Sequence, residues 1–318
     1  MKTKQHTQPR TRLGFTLLEL LAVITIISML LALILPTLSG VIGKGDQAAV
    51  EAEITQLDQA LTAFKQQYGE YPPSFLKIPQ RGGSWAPKSR AAVGKFWPQF
   101  NFSTSPPSGS SAGDANYLWN GGLNNDPEIT LSGAECLVFF LGGVESGGVG
   151  SARLSGFSKN PLTPWAASSS SIGPFMEFDF GRLVDVDNDM SFEYLDAMPG
   201  QTTPFLYLSG SGRNLNKDND NMLRTLAPIN ETRVQVWDDY DVFGLSDARN
   251  MDFCYLQPDG DGNPTTNQPY KSDTFQLISA GADGEYGPGG VYADGDNLTG
   301  DRRGEADNIT NFSGGRLN

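Results

Sequence analysis

Phe15–Leu35 is a run of 21 residues with a single charge, Glu19. A helix rises about 1.5 Å per residue, so the run spans roughly 30 Å, the thickness of bilayer hydrocarbon. Its Leu, Ile, Val, Ala and Met content suits a membrane helix. Lys2, Lys4, Arg10 and Arg12 precede it with no acid among them, which places the short leader on the cytoplasmic side. A Sec signal peptide fits poorly. Its apolar region is shorter and is followed by a small-residue cleavage site. Here Pro36-Thr37-Leu38-Ser39-Gly40 leads into more helical pattern. Glu19 is therefore the odd residue: a carboxylate in hydrocarbon is costly and needs a partner.

Beyond Pro36, Val50, Ile54, Leu57, Leu61, Phe64 and Tyr68 alternate at spacings of four and three, one apolar stripe. Glu51, Glu53, Gln56, Asp58, Lys65 and Gln66 fill other positions. Gly69 and then Pro72-Pro73 stop the pattern. The spacing predicts a helix from about 15 to 68, roughly 80 Å if straight. Gly40, Gly43 and Gly45 weaken it in the middle. Three heptads are short for a coiled coil, so the stripe is expected to pack on the chain's own soluble domain.

The remainder reads as an irregular middle followed by short strands. Trp85, Phe96, Trp97, Phe100 and Phe102 are expected to pack as a small core, with a partner surface as the alternative. Glu135–Leu141 is an apolar run that Ser132 can cap, with Glu135 three residues on, which favours a short helix. Phe175–Arg182 alternates weakly. Pro204–Ser209 and Thr274–Ser279 read as strands that end at glycines. A long helix, then strands with no βαβ alternation, predicts an α+β fold with a small antiparallel sheet and long loops. Gly and Pro together make 57 of 318 residues, which also argues for loops over a bundle.

Charge and composition remove several function classes. The net charge is -13, and without residues 1–14 it is 36 acids against 19 bases. An acidic body disfavours nucleic acid and favours divalent cations. The only histidine is His6, in the basic segment, so Ser-His-Asp and Cys-His catalysis and histidine-ligated zinc are excluded. The two cysteines admit one disulfide, Cys136–Cys254, or two buried thiols. No carboxylate pair is marked for catalysis, and no enzyme activity is expected.

Gly14-Phe15-Thr16-Leu17-Leu18-Glu19, with Pro36 22nd from Phe15, resembles the type IV prepilin processing motif. The resemblance implies that a membrane peptidase cuts between Gly14 and Phe15 and that the new Phe15 amine is methylated. Glu19 would then pair with that amine, its own or a neighbour's, and the apolar helix would become the packed core of a filament. Tyr68–Pro73, Asp196–Ser209 and "SAGADG" at 279–284 with "ADNITNF" at 306–312 extend the resemblance to type II secretion major pseudopilins of the G type. It covers about 110 residues and leaves 74–175 and 211–272 as insertions. The implied organisation is a leader (1–14), a transmembrane and assembly helix (15–35), its amphipathic continuation (36–71) and a periplasmic domain (72–318). The implied partners are a prepilin peptidase and methyltransferase, other pseudopilins and an inner-membrane secretion assembly platform. Alternatives are a type IV pilin or minor pilin, and a membrane-anchored periplasmic binding protein.

In the resembled family the C-terminal loop holds Ca2+, whose hard oxygen preference suits a turning acidic chain. Asp283 and Asp307 occupy the matching positions. The segment between them brings Asp294, Asp296 and Asp301 as extra ligand candidates. This loop reads as too glycine-rich to order itself, so a cation would contribute folding free energy. A second loop, Asp185, Asp187, Asp189 and Asp196, has EF-hand-like spacing but Met190 where that loop turns on glycine.

Overall fold

The computed structural model describes residues 16–79, 85–102, 128–146, 153–166, 169–186, 191–209, 252–258 and 268–317. Helix α1 covers Leu17–Tyr68. The chain divides into two compact units, Met1–Asp46 and Gln47–Asn318. The division falls beside Gly43 and Gly45.

In the first unit every described side chain of the apolar run is exposed, from Leu17 to Leu31. The two hydroxyls inside the run bond their own helix. Thr25 Oγ1 donates to the Leu21 carbonyl at 2.5 Å and Ser28 Oγ to that of Ile24 at 2.7 Å. Such back-bonding leaves no hydroxyl donor facing an apolar medium. The helix continues through Pro36, although side chains 33–42 lie outside the described residues.

In the second unit the predicted stripe is the spine of the core. Val50, Ile54, Leu57, Leu61 and Phe64 are all buried. Gly69 ends α1 as the sequence implies. It adopts φ +90°, and its N–H returns to the Lys65 carbonyl at 2.7 Å. Strand β1 (Leu76–Pro79) pairs antiparallel with β2 (Glu128–Leu131). Between them lies α2 (Pro87–Phe96), a helix the loop-rich reading of this region did not foresee; Pro87 stands at its N-terminus. Helix α3 (Gly133–Gly142) starts with the expected capping box. The Ser132 N–H donates to Glu135 Oε2 at 2.7 Å and the Glu135 N–H to Ser132 Oγ at 3.3 Å.

Phe64 meets Phe96, Phe140 and Phe175 edge-on, with centroids 5.3–5.6 Å apart. Trp97, Phe100 and Trp165 are buried in the same cluster. The aromatic island is thus core, as expected. Phe175–Arg182 is not a strand. Asp179 Oδ1 accepts the Gly181 N–H at 3.0 Å, which turns the chain into a 3-10 helix at Phe180–Arg182.

The β-structure is several small sheets, a correction to the single antiparallel sheet expected. Three are two-residue ladders: β3 (Glu145–Ser146) with β4 (Arg153–Leu154), β5 (Phe157–Ser158) with β6 (Ser171–Ile172), and β7 (Leu183–Val184) with β8 (Glu193–Tyr194). The predicted strands β9 (Leu206–Ser209) and β12 (Phe275–Ser279) pair antiparallel, and β14 (Ile309–Thr310) joins the other edge of β12. A separate sheet orders β11 (Gln268–Pro269), β10 (Asp252–Gln257) and β13 (Gly289–Val291), with β10 and β13 parallel. The side chain of Gln276, fully buried in β12, joins the two sheets. Its Oε1 accepts the Tyr255 N–H at 2.9 Å, and its Nε2 donates to the carbonyls of Tyr255 and Tyr270 at 3.0 and 2.8 Å.

A buried ion pair ties α1 to the middle of the chain. Glu53, only 6% exposed, accepts from Arg182 Nη1 at 2.8 Å and Nη2 at 2.5 Å. Tyr194 Oη donates to the same carboxylate at 2.8 Å. The Arg182 guanidinium lies 4.6 Å from the Tyr194 ring centroid. In the stripe pattern Glu53 reads only as a polar filler, and nothing local in the sequence marks a partner 129 residues away.

Candidate functional site: helix head and C-terminal loop

Gly14 and Phe15 lie outside the described residues, and the site begins at Thr16. Thr16 and Glu19 form a reciprocal cap. The Thr16 N–H and Oγ1 both donate to Glu19 Oε2, at 2.9 and 2.8 Å, and the Glu19 N–H donates back to Thr16 Oγ1 at 3.2 Å. This is a capping box, the T-x-x-E pattern that opens helices. The pattern was legible as Thr16-Leu17-Leu18-Glu19. Glu19 therefore satisfies helix-start donors before any partner is considered. Behind it lies the exposed apolar face of α1. Among the described residues no helix is long and apolar enough to cross a membrane. The described side chains of the run end at Ala32.

In the C-terminal loop, Asp283 and Asp307 come together. Asp307 Oδ2 accepts the N–H groups of Ala282 and Asp283, at 2.6 and 3.2 Å. Gly281 allows this approach: it adopts φ +67°, and a Cβ there would stand 2.7 Å from the Asp307 carboxyl carbon. Asp283 Oδ1 accepts the Glu285 N–H at 2.9 Å. Glu285, Asp301, Arg303 and Arg316 line the same open cleft. Burial holds the Asp283 carboxyl above the ordinary range, and the charges of Asp307 and Glu285 push it further up, against the Glu285 N–H bond. Ionised Asp283 thus works against the folded loop, a cost that a cation in the cleft would relieve.

The other acidic candidates are placed differently. Asp294 and Asp296 raise the phenols of Tyr270 and Tyr292, both already raised by burial. Asp296 Oδ2 accepts the Ala293 N–H at 2.8 Å. Neither lines the cleft. Asp196 is buried, and its oxygens are engaged by protein donors: the Met198 N–H at 2.8 Å, Gln201 Nε2 at 3.1 Å and the Ser279 hydroxyl. It fastens the Asp196–Ser209 segment to the Ser279–Gly284 turn. Gln201 reinforces this link through the Gly281 carbonyl at 3.0 Å, and Thr203 through that of Gly284 at 2.9 Å. Asp185 is half-buried, and Asp187 and Asp189 lie outside the described residues. Among the described residues no group of three or more acidic, cysteine or histidine side chains is gathered to hold a metal.

The loop orders itself more than its glycine content implied. Glu305, fully buried, takes Arg302 Nε at 3.0 Å and Nη2 at 2.7 Å, and the Gly289 N–H at 3.1 Å. Arg302 Nη1 also donates to the Val291 carbonyl at 2.6 Å. Cys136 is buried in α3, its thiol 3.7 Å from the Leu131 carbonyl. The side chain of Cys254 lies outside the described residues.

Residues 9–35 match the prokaryotic N-terminal methylation motif. The type II secretion system core protein G of Aeromonas hydrophila is 40% identical over 65 residues, 20% of this chain and 46% of that protein. That of Klebsiella michiganensis is 41% identical over 59 residues, 19% of this chain and 42% of that protein. That of Escherichia coli K12 is 41% identical over the same length and covers 41% of that protein. The match thus spans less than half of each relative. No solved structure matches. This chain carries a prepilin-type N-terminal methylation motif, and its N-terminal region is similar to that of type II secretion core protein G.

Proposed function

We propose that this chain is a structural pseudopilin subunit of a type II secretion system. It is inserted in the bacterial inner membrane with its leader cytoplasmic and its large unit periplasmic. A prepilin peptidase cleaves at Gly14/Phe15 and methylates Phe15. The helix then leaves lipid and packs against helices of other pseudopilins on the assembly platform, building a periplasmic filament. The observation that carries this reading is the methylation motif at 9–35, set at the head of α1, whose described apolar side chains from Leu17 to Leu31 are all exposed. Such a surface is stable in lipid or against other helices, not in water. Mass spectrometry of the mature protein tests it. The expected N-terminus is methylated Phe15; an intact Met1 in the membrane fraction would sink the reading.

We further propose Ca2+ in the Asp283–Asp307 cleft. Two adjacent carboxylates repelling each other fit a cation, and the remaining oxygens of a six- to eight-coordinate ion come from carbonyls and water. Calcium at a hundredfold excess over its Kd stabilises a folded chain by about 2.7 kcal/mol. Asp283→Ala is expected to abolish most of the calcium-dependent rise in melting temperature. The same rise in the variant would remove Asp283 as a ligand.

A further inference from the structure

The chain holds eight glycines between Gly281 and Gly304. Glycine loses more conformational freedom on folding than any other residue, so such a loop needs a cross-link to hold it. One cross-link lies outside the Asp283–Asp307 cleft. Glu305 is fully buried and is not on the cleft lining. A buried carboxylate is costly unless it is paired and hydrogen-bonded. Arg302 meets both of its oxygens, with Nε at 3.0 and 3.1 Å and Nη2 at 2.7 Å. The third arm, Nη1, donates to the Val291 carbonyl at 2.6 Å, and Glu305 Oε1 also accepts the Gly289 N–H at 3.1 Å. Arg302 therefore gathers two carboxylate oxygens and one carbonyl oxygen from separate stretches of the loop. These are the ligand types that a hard divalent ion collects from a turning chain. A guanidinium offers five N–H donors in a rigid fork and does not lose its charge, so it can serve the same purpose permanently.

The rest of the loop is built around this pair. Gly287, at φ +66°, packs so closely that a Cβ there would stand 2.4 Å from Glu305 Cγ. The Asn308 N–H returns to the Glu305 carbonyl at 3.1 Å, and Asn308 Nδ2 donates to the Tyr286 carbonyl at 2.9 Å. The Tyr292 N–H reaches the Leu256 carbonyl of β10 at 2.9 Å, and the Tyr292 hydroxyl donates to the Leu317 carbonyl. The Leu317 N–H closes on the Asn308 carbonyl at 3.1 Å. None of these bonds uses Asp283, Glu285, Asp301 or Asp307, the acids of the cleft.

We propose that Arg302 is the cation that folds the C-terminal loop. The acidic cleft beside it is then preformed, and a divalent ion that enters it changes surface charge, not fold. The second half of this inference rests on the calcium reading above; the first half does not. The cleft lining sets four carboxylates against the guanidiniums of Arg303 and Arg316, an excess of two negative charges that one Ca2+ cancels. Calcium still raises the melting temperature, because it binds a loop already folded.

Hydrogen exchange of the purified full-length chain in detergent, followed by mass spectrometry over residues 286–317 in the presence of a chelator, tests this. The parent loop is expected to exchange at least about a hundredfold more slowly than an unstructured peptide. Arg302→Met is expected to speed that exchange about tenfold or more, while the amides of α1 from 47 to 68 keep their protection. A parent loop that exchanges like an unstructured peptide in chelator, and gains protection when Ca2+ is added, would make the metal the folding cation and overturn the proposal. So would an Arg302→Met loop as protected as the parent's. If Arg302→Met does not fold at all, the parent measurement decides alone. A parent chain whose loop is protected in chelator but whose melting temperature ignores Ca2+ would fell the calcium reading and uphold the role of Arg302.

Discussion

Glu53→Ala is expected to lower the unfolding free energy by about 3–5 kcal/mol, the cost of breaking a buried pair from one side. The reason lies in what remains. Arg182 keeps a largely buried guanidinium, its side chain 26% exposed, and Tyr194 keeps a phenol that loses its acceptor. The Glu53 bond and charge also hold the guanidinium more firmly protonated than usual, against the opposing effect of burial. Even without Glu53, a guanidinium is too basic to shed its charge to escape. Denaturant melts followed by tryptophan fluorescence measure the loss. The double variant Glu53→Met with Arg182→Leu should recover most of it, because apolar replacement of both partners removes the desolvation cost. A single-variant loss below about 1 kcal/mol would mean the pair behaves as a surface bridge and would refute this account.

Glu19→Gln should reduce assembled filaments at least tenfold while leaving the protein in the membrane fraction. Glutamine serves at the third position of a capping box as glutamate does, so the Thr16 cap survives. What it lacks is the charge that would answer the Phe15 ammonium. Glu19→Ala removes both, adding a cap loss of about 0.5–2 kcal/mol. The contrast separates two roles that the carboxylate combines. Normal filaments from the glutamine variant, counted by electron microscopy after shearing, would leave Glu19 as a helix cap alone.

What could be read from the sequence was local. The stripe Val50–Phe64, the stop at Gly69 and the Ser132 capping box each follow from spacing within a few residues, and the structure has all three. Strands β9 and β12 were also readable as short apolar runs ending at glycine. Some misses are long-range and others local. Asp196 had the right chemistry for a metal loop, but Ser279, distant in the chain, takes its oxygen. Glu53 sits among stripe residues and is buried because Arg182 and Tyr194 reach it. Phe175–Arg182 alternates like a strand, yet Asp179 bonds two residues ahead and turns the chain. The α2 helix was obscured by the prolines around it. Of the candidate site, the structure brings Asp283 and Asp307 within hydrogen-bonding distance of each other. Glu285 was missed, and only its neighbour-but-one position to Asp283 in the Ala-Asp-Gly-Glu sequence hinted at it.

Gln276 bears on how this chain tolerates its length. Its amide imitates a peptide group, so the β9-β12-β14 and β10-β11-β13 sheets are locked by a side chain from β12. Residues 210–251 connect β9 to β10 in the chain, and closure of the two sheets depends only weakly on how many they are. Each doubling of such a connection adds only about 0.6 kcal/mol of closure entropy. A single amide thus lets the connecting residues grow, shrink or change composition over generations while the two sheets stay joined.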